Sequence, residues 1–167
     1  VRHRELYLEL RQLYARLVSP SGLAVWDQNH SYDFGPVTLL EDGAYKLIID
    51  GYVAATGDYS FRLYDLASAP SIALGADQSG DLTPSSETDV YQFNGTPGQR
   101  INARRISATL SPTGWRLVAP SNQTVASAGL NQDLGDIVLR LNGPHFLFIE
   151  GVNEGIVNLN YTVRLSD

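Results

Sequence analysis

Apolar residues fall at every second position in a series of short stretches along the chain. Tyr45, Leu47 and Ile49 share one face of an extended backbone, as do Tyr59, Phe61 and Leu63. A period of two is that of a half-buried strand. The same alternation runs through Val90 to Phe93, Trp115 to Val118, Ile137 to Leu141, Phe146 to Ile149 and Tyr161 to Leu165. Turn formers separate these stretches: Pro20-Ser21-Gly22, Asp42-Gly43, Thr96-Pro97-Gly98, Ser111-Pro112-Thr113-Gly114 and Asn142-Gly143-Pro144. Short strands at such spacing predict an all-β chain of antiparallel sandwich type.

One stretch fits two periods. Leu6, Leu10, Leu13, Tyr14 and Leu17 fall at helical spacing within Arg4 to Val18, with no Gly or Pro between them. An internal duplication favours strands there, because it overlays the stretch on Ile106 to Val118, where Pro112 and Gly114 break a helix.

The duplication has an offset of one hundred residues. Arg16-Leu17-Val18-Ser19-Pro20-Ser21 lies over Arg116-Leu117-Val118-Ala119-Pro120-Ser121. Asp33 then meets Asp133, Gly35 meets Gly135, Leu39 meets Leu139, Gly43 meets Gly143, Leu47 meets Leu147, and Gly51 meets Gly151. Two extra residues in the second copy shift the register, so that Tyr59-Ser60-Phe61-Arg62-Leu63 matches Tyr161-Thr162-Val163-Arg164-Leu165. Self-similarity over this length means tandem structural units, which serve as spacers or binding arrays more often than as single catalytic pockets. The expected division is residues 1–68 and residues 69–167.

The first copy is expected to be truncated at its N-terminus. Its counterpart of Ile72 to Arg100, an opening strand pair of roughly 30 residues, would precede Val1. A sandwich without that pair exposes a sheet edge, which proteins normally cover or pair. Strand completion by another segment of the parent protein, or by a second copy, is the corresponding expectation.

Composition narrows the function classes. Hydrophobic residues make up 43% of the chain and charged residues 18%, with 15 Gly and 8 Pro, as in a folded, turn-rich protein. The net charge of −6 argues against nucleic acid, which requires clustered cations on one face. The basic clusters, Arg2 to Arg4 and Arg100, Arg104 and Arg105, read as solvated strand-edge charges. The absence of cysteine excludes disulfides, thiolate metal sites and cysteine nucleophiles. No apolar run approaches the roughly 20 residues that span a membrane as a helix.

Catalytic motifs are missing. His3, His30 and His145 stand in no His-Glu-x-x-His pattern, and there is no Gly-x-Ser-x-Gly elbow or phosphate-cradling glycine loop. The chain is therefore expected not to be an enzyme. Two groups remain as candidate binding residues. Trp26, Tyr32 and Phe34 are expected in a loop where the second copy carries Ala126, Gln132 and Leu134, so they offer either an exposed sugar-stacking platform for a polysaccharide or core packing in place of Trp115. Asp77, Asp81, Glu87 and Asp89 crowd the start of the second copy; several carboxylates on flexible loops suit calcium, although acidic residues at turns equally cap backbone amides. Calcium is the one cofactor these residues suggest.

The second copy carries a familiar string: Ala73-Leu74-Gly75, Ser79-Gly80-Asp81-Leu82-Thr83-Pro84, Glu87-Thr88-Asp89-Val90-Tyr91-Gln92-Phe93 and Thr96-Pro97-Gly98-Gln99-Arg100. Trp115-Arg116-Leu117-Val118-Ala119-Pro120 and, in the first copy, Gly43-Ala44-Tyr45-Lys46-Leu47-Ile48-Ile49-Asp50-Gly51 continue it. Together these resemble the bacterial pre-peptidase C-terminal domain, in the long-repeat variety of large secreted proteins. Ala15, Asn122 and Pro144-His145 depart from its pattern. The resemblance implies jelly-roll-like antiparallel sandwich repeats, a secreted or cell-surface bacterial location, and roles in secretion, substrate binding or adhesion, with calcium bound by some relatives. It implies no catalysis.

Overall fold

The structure, a computed structural model, describes residues 3–9, 13–30, 33–51, 60–109, 113–151 and 159–167. The chain divides into two compact units, Val1–Ser68 and Ala69–Asp167. Both are built from antiparallel β-sheets.

Unit 1 contains β1 (His3–Glu9), β2 (Leu13–Val18), β3 (Ala24–His30), β4 (Phe34–Thr38), β5 (Lys46–Gly51) and β6 (Ser60–Asp65), followed by a single 3-10 turn at Leu66–Ser68. They form two three-stranded sheets, ordered β4-β1-β6 and β3-β2-β5. The stretch with helical spacing is thus two strands. Each is the central strand of its sheet, β1 between β4 and β6 and β2 between β3 and β5, so four long-range ladders outweigh the local helical period.

Unit 2 contains β7 (Asp77–Leu82), β8 (Thr88–Gly95), β9 (Arg100–Ala108), β10 (Gly114–Val118), β11 (Thr124–Gly129), β12 (Gly135–Val138), β13 (Gly143–Glu150) and β14 (Leu159–Ser166). Its two four-stranded sheets are ordered β11-β10-β13-β8 and β12-β9-β14-β7. Tyr91, Trp115, Leu117 and Leu147 of the first sheet share one buried core with Leu82, Ile101, Val163 and Leu165 of the second. The sheets therefore pack face to face as a β-sandwich. The chain crosses between sheets at every connection except the β10–β11 hairpin.

The turns explain why strands stop where they do. In unit 1 the β2–β3 connection closes with Gly22 N–H donating to Ser19 O at 2.9 Å and Ser19 N–H donating to Leu23 O at 2.8 Å. The β10–β11 connection closes in the same way, Asn122 N–H donating to Ala119 O and Ala119 N–H to Gln123 O, each at 2.9 Å. Gly22 has φ +88 and Asn122 φ +64. Asparagine tolerates the left-handed region better than other side chains, so the exchange of Gly for Asn leaves the turn intact.

Two expectations from the pattern are corrected. β13 is not half-buried: His145, Leu147 and Ile149 on one face and Phe146 and Phe148 on the other are all buried. Arg116 covers Phe148, its guanidinium carbon 4.4 Å from the ring centroid, and Glu150 accepts from Arg116 Nε at 2.8 Å. Arg100, Arg104 and Arg105 lie on β9, an interior strand between β12 and β14, rather than at a sheet edge. Ile101 and Ala103 of that strand enter the core, so Arg100 and Arg104 face solvent by alternation.

Candidate functional site

The two units differ in how completely their cores are closed. Among the described residues of unit 1, Ala15, Leu17 and Trp26 form a buried cluster, against which Phe34, Val37, Leu39, Tyr45, Leu47 and Ile49 are half-buried. Beside this cluster lies an apolar groove of about 310 Å³, lined by Leu17, Val37, Leu39, Tyr45, Leu47 and Leu63, with Gly43 and Ala44 at its rim.

The residues lying over this lining in unit 2 are Leu117, Ile137, Leu139, His145, Leu147 and Leu165, and every one is buried. The contrast is sharpest on β6 and β14. Leu63 is 53% exposed and Phe61 43%, whereas Leu165 and Val163 are both 0% exposed. The strand orders supply the reason. β5 and β6 are outermost in their sheets among the described residues, while β13 and β14 are covered by β8 and β7. β8 runs antiparallel to β13, setting Tyr91 opposite Leu147 and Phe93 opposite His145. The Phe93 and His145 rings stack with centroids 5.6 Å apart.

The rim of the groove is held by polar bonds rather than by packing. The Tyr45 hydroxyl accepts from Glu41 N at 2.9 Å and donates to Glu41 O at 3.1 Å. The Glu41 carboxylate accepts from Ser21 N at 2.9 Å and from Ser21 Oγ at 2.7 Å. These bonds from Ser21 hold the Glu41 carboxyl below the usual carboxylate range. At the same rim, a β-carbon on Gly43 would lie 2.9 Å from Pro20 Cγ, and at φ +134 the residue is glycine-favouring in any case. Gly143, at φ +123, sits over Pro120 in the same way.

Unit 2 also contains a polar chain that runs from part-buried Asp89 to buried tyrosines. The Tyr161 hydroxyl donates to Asp89 Oδ2, which leaves the Tyr91 hydroxyl to donate to Tyr161 at 2.6 Å. Burial, reinforced by Asp89, pushes the Tyr161 phenol far above its ordinary range, so it remains a neutral donor at every physiological pH. His145 is driven the other way: burial lowers its pKa, partly offset by its bond to Gly143 O at 3.0 Å.

The candidate binding residues are distributed as follows. Trp26 is on β3 rather than in a loop and is 5% exposed, its ring 4.7 Å from that of Phe34 at the start of β4. Its reading as an exposed sugar platform is corrected, because a buried indole has no free face to stack on. It and Ala15 exchange sizes with Trp115 and Ala126: Ala15 and Trp26 lie in one core, Trp115 and the half-buried Ala126 in the other. Large and small residues swap between adjacent strands, which conserves filled volume. Tyr32 lies outside the described residues.

Of the four carboxylates proposed for calcium, Asp77 and Asp81 are on β7, Asp89 is on β8, and Glu87 is in the turn between them. Asp77 accepts from Arg164 Nε at 2.7 Å, and this bond lowers its pKa. Asp81 accepts from Thr83 Oγ1 at 3.0 Å, and Glu87 from Thr83 N at 3.2 Å. Asp89 serves Tyr161. Among the described residues no three His, Asp or Glu side chains gather as a metal site would require. Nor is any helix among them long and apolar enough to cross a membrane.

No sequence motif marks the groove residues themselves; the unequal matching of the two copies was the one signal that pointed there. No protein-family model matches the chain, and no curated protein matches it. Among solved structures, a periplasmic lysozyme inhibitor of g-type lysozyme from Salmonella Typhimurium, PliG, aligns with 59% of this chain and 98% of its own length. The sequence identity is 15% and the TM-score 0.43.

Proposed function

We propose that the chain is a non-catalytic interaction module: two copies of one β-sandwich repeat, of the kind that resembles the bacterial pre-peptidase C-terminal domain, within a large extracellular protein. The hundred-residue sequence match supports the repeat. So do the shared turn at Gly22 and Asn122 and the common registers of Leu17 opposite Leu47 and Leu117 opposite Leu147. The observation that carries the interaction role is the apolar groove of unit 1 beside the outermost strands β5 and β6, with Leu63 left 53% exposed. A sheet edge with no described strand beside it, next to an apolar channel, is the geometry used in β-strand addition, where main-chain bonds give affinity and alternate side-chain pockets give specificity. Surfaces of this sort mark contact sites.

Solution mass by light scattering, combined with hydrogen exchange, tests this reading. In a monomer, the amides of β5 should exchange much faster than those of β13, the strand at the matched place in unit 2. A dimer or longer assembly with protected β5 amides equally supports an interaction role. A monomer in which β5 and β13 are equally protected would mean that the groove is already closed, and the reading would fall.

A further inference from the structure

We infer that the groove of unit 1 is filled by a two-stranded polypeptide segment from outside residues 1–167, carrying the residue pattern of β7 and β8. This deepens the proposed interaction role and rests on it. The occupant's chemistry follows from what closes unit 2. There β8 lies on β13 with Phe93 opposite His145 and Tyr91 opposite Leu147, and β7 lies on β14 with Gly80 opposite Tyr161 and Leu82 opposite Leu159. Unit 1 presents Tyr45 and Leu47 where His145 and Leu147 stand. Its occupant therefore needs bulky apolar or aromatic side chains at alternate positions of the strand that runs antiparallel to β5.

A glycine gives independent support. A β-carbon on Gly151 would lie 2.0 Å from Ser85 O and 2.9 Å from Glu87 O, both in the β7–β8 connection, and Gly151 N–H donates to Glu87 O at 3.0 Å. Only glycine admits so close a backbone approach. The matched residue in unit 1 is Gly51, exposed at the end of β5. Unit 1 thus carries glycine at the position where the β7–β8 turn makes this approach in unit 2. The described residues of the groove lining include no carboxylate, amine or imidazole, so they suit an apolar occupant.

The strand registers specify a direct test. Arg4 pairs with Val37 as Ile101 pairs with Ile137, so β1 follows an incoming segment as β9 follows β8. A second copy of residues 69–97 is placed directly before Val1 of the full chain. Hydrogen exchange of β5 is then compared with that of the unmodified chain, with β13 as the internal reference for folding. The added segment should slow β5 exchange by at least about a hundredfold, toward the protection of an interior strand. The same fusion carrying Tyr91→Asp and Phe93→Asp in the added copy only should leave β5 exchange unchanged. If the apolar fusion fails to protect β5 while the unmodified monomer exchanges quickly there, the occupant is wrong but the interaction role stands. Equal protection by both fusions overturns the pattern argument. An unmodified chain that is already a dimer with β5 protected would assign the groove to a second copy instead. Slow β5 exchange in the unmodified monomer would remove the interaction role itself.

Discussion

Leu63 and Leu165 are the same residue at matched places in the two units, one 53% exposed and the other fully buried. They turn the difference between an open and a closed core into a pair of stabilities. Leu165→Ala removes buried carbon from a core sealed by strands of both sheets and leaves a cavity that its neighbours fill only in part. A loss of about 3 kcal/mol from unit 2 is expected, within the range for buried leucine truncations. Leu63→Ala surrenders only about half of a leucine transfer energy and leaves no closed cavity, because solvent already reaches the site; about 1 kcal/mol or less is expected from unit 1. Each unit contains one of the two tryptophans, Trp26 and Trp115, and both are buried. A Trp115→Phe background therefore reports unfolding of unit 1 by fluorescence, and a Trp26→Phe background that of unit 2. Each truncation is compared with its own background in urea, at an unchanged slope of free energy against denaturant. Equal losses at the two positions, or a larger loss at Leu63, would refute the claim that unit 1 is open.

Two further predictions concern unit 2. Burial lowers the pKa of His145, so its neutral form is favoured in the folded state. That contribution is complete above the unfolded value of about 6.5 and is lost as pH falls through the lower folded value. Unit 2, followed through Trp115, should weaken as pH falls below about 6.5; His145→Tyr, which installs the residue of unit 1, should flatten that slope, and an unchanged slope would exclude His145 as its source. Gly151→Ala should cost unit 2 about 2 kcal/mol or more, since the new methyl meets backbone oxygen rather than a movable side chain, whereas Gly51→Ala in the unmodified chain should change unit 1 by no more than about 0.5 kcal/mol. Urea midpoints check both, and a costly Gly51→Ala would show that backbone already presses on that site.

The all-β class was legible in single stretches, because alternation at Tyr45, Leu47 and Ile49 and at Tyr161 to Leu165 has no helical reading, and Gly and Pro mark the turns between. Local pattern was ambiguous where both periods fit, as in Leu6 to Leu17. It was silent where burial depends on what lies above a strand: nothing in Phe148 says that Arg116 will cover its ring on β13. The same limit applies to the site residues. Trp26 was recognisable as either a platform or a core residue, and Phe34 at 4.7 Å decided for the core. Asp77 and Asp89 were recognisable as acidic, but their commitment to Arg164 and Tyr161 spans 87 and 72 residues of sequence.

By itself, then, the sequence determined which residues are extended, where the chain turns, and that its two halves share a pattern, because these depend on side-chain period and backbone freedom within a few residues. Only the tertiary structure decided which strands are outermost, which apolar faces are covered, and that Leu63 stands in solvent while Leu165 does not. Those outcomes depend on neighbours distant in the chain: β7 and β8 close one sandwich, and no described strand does so for the other.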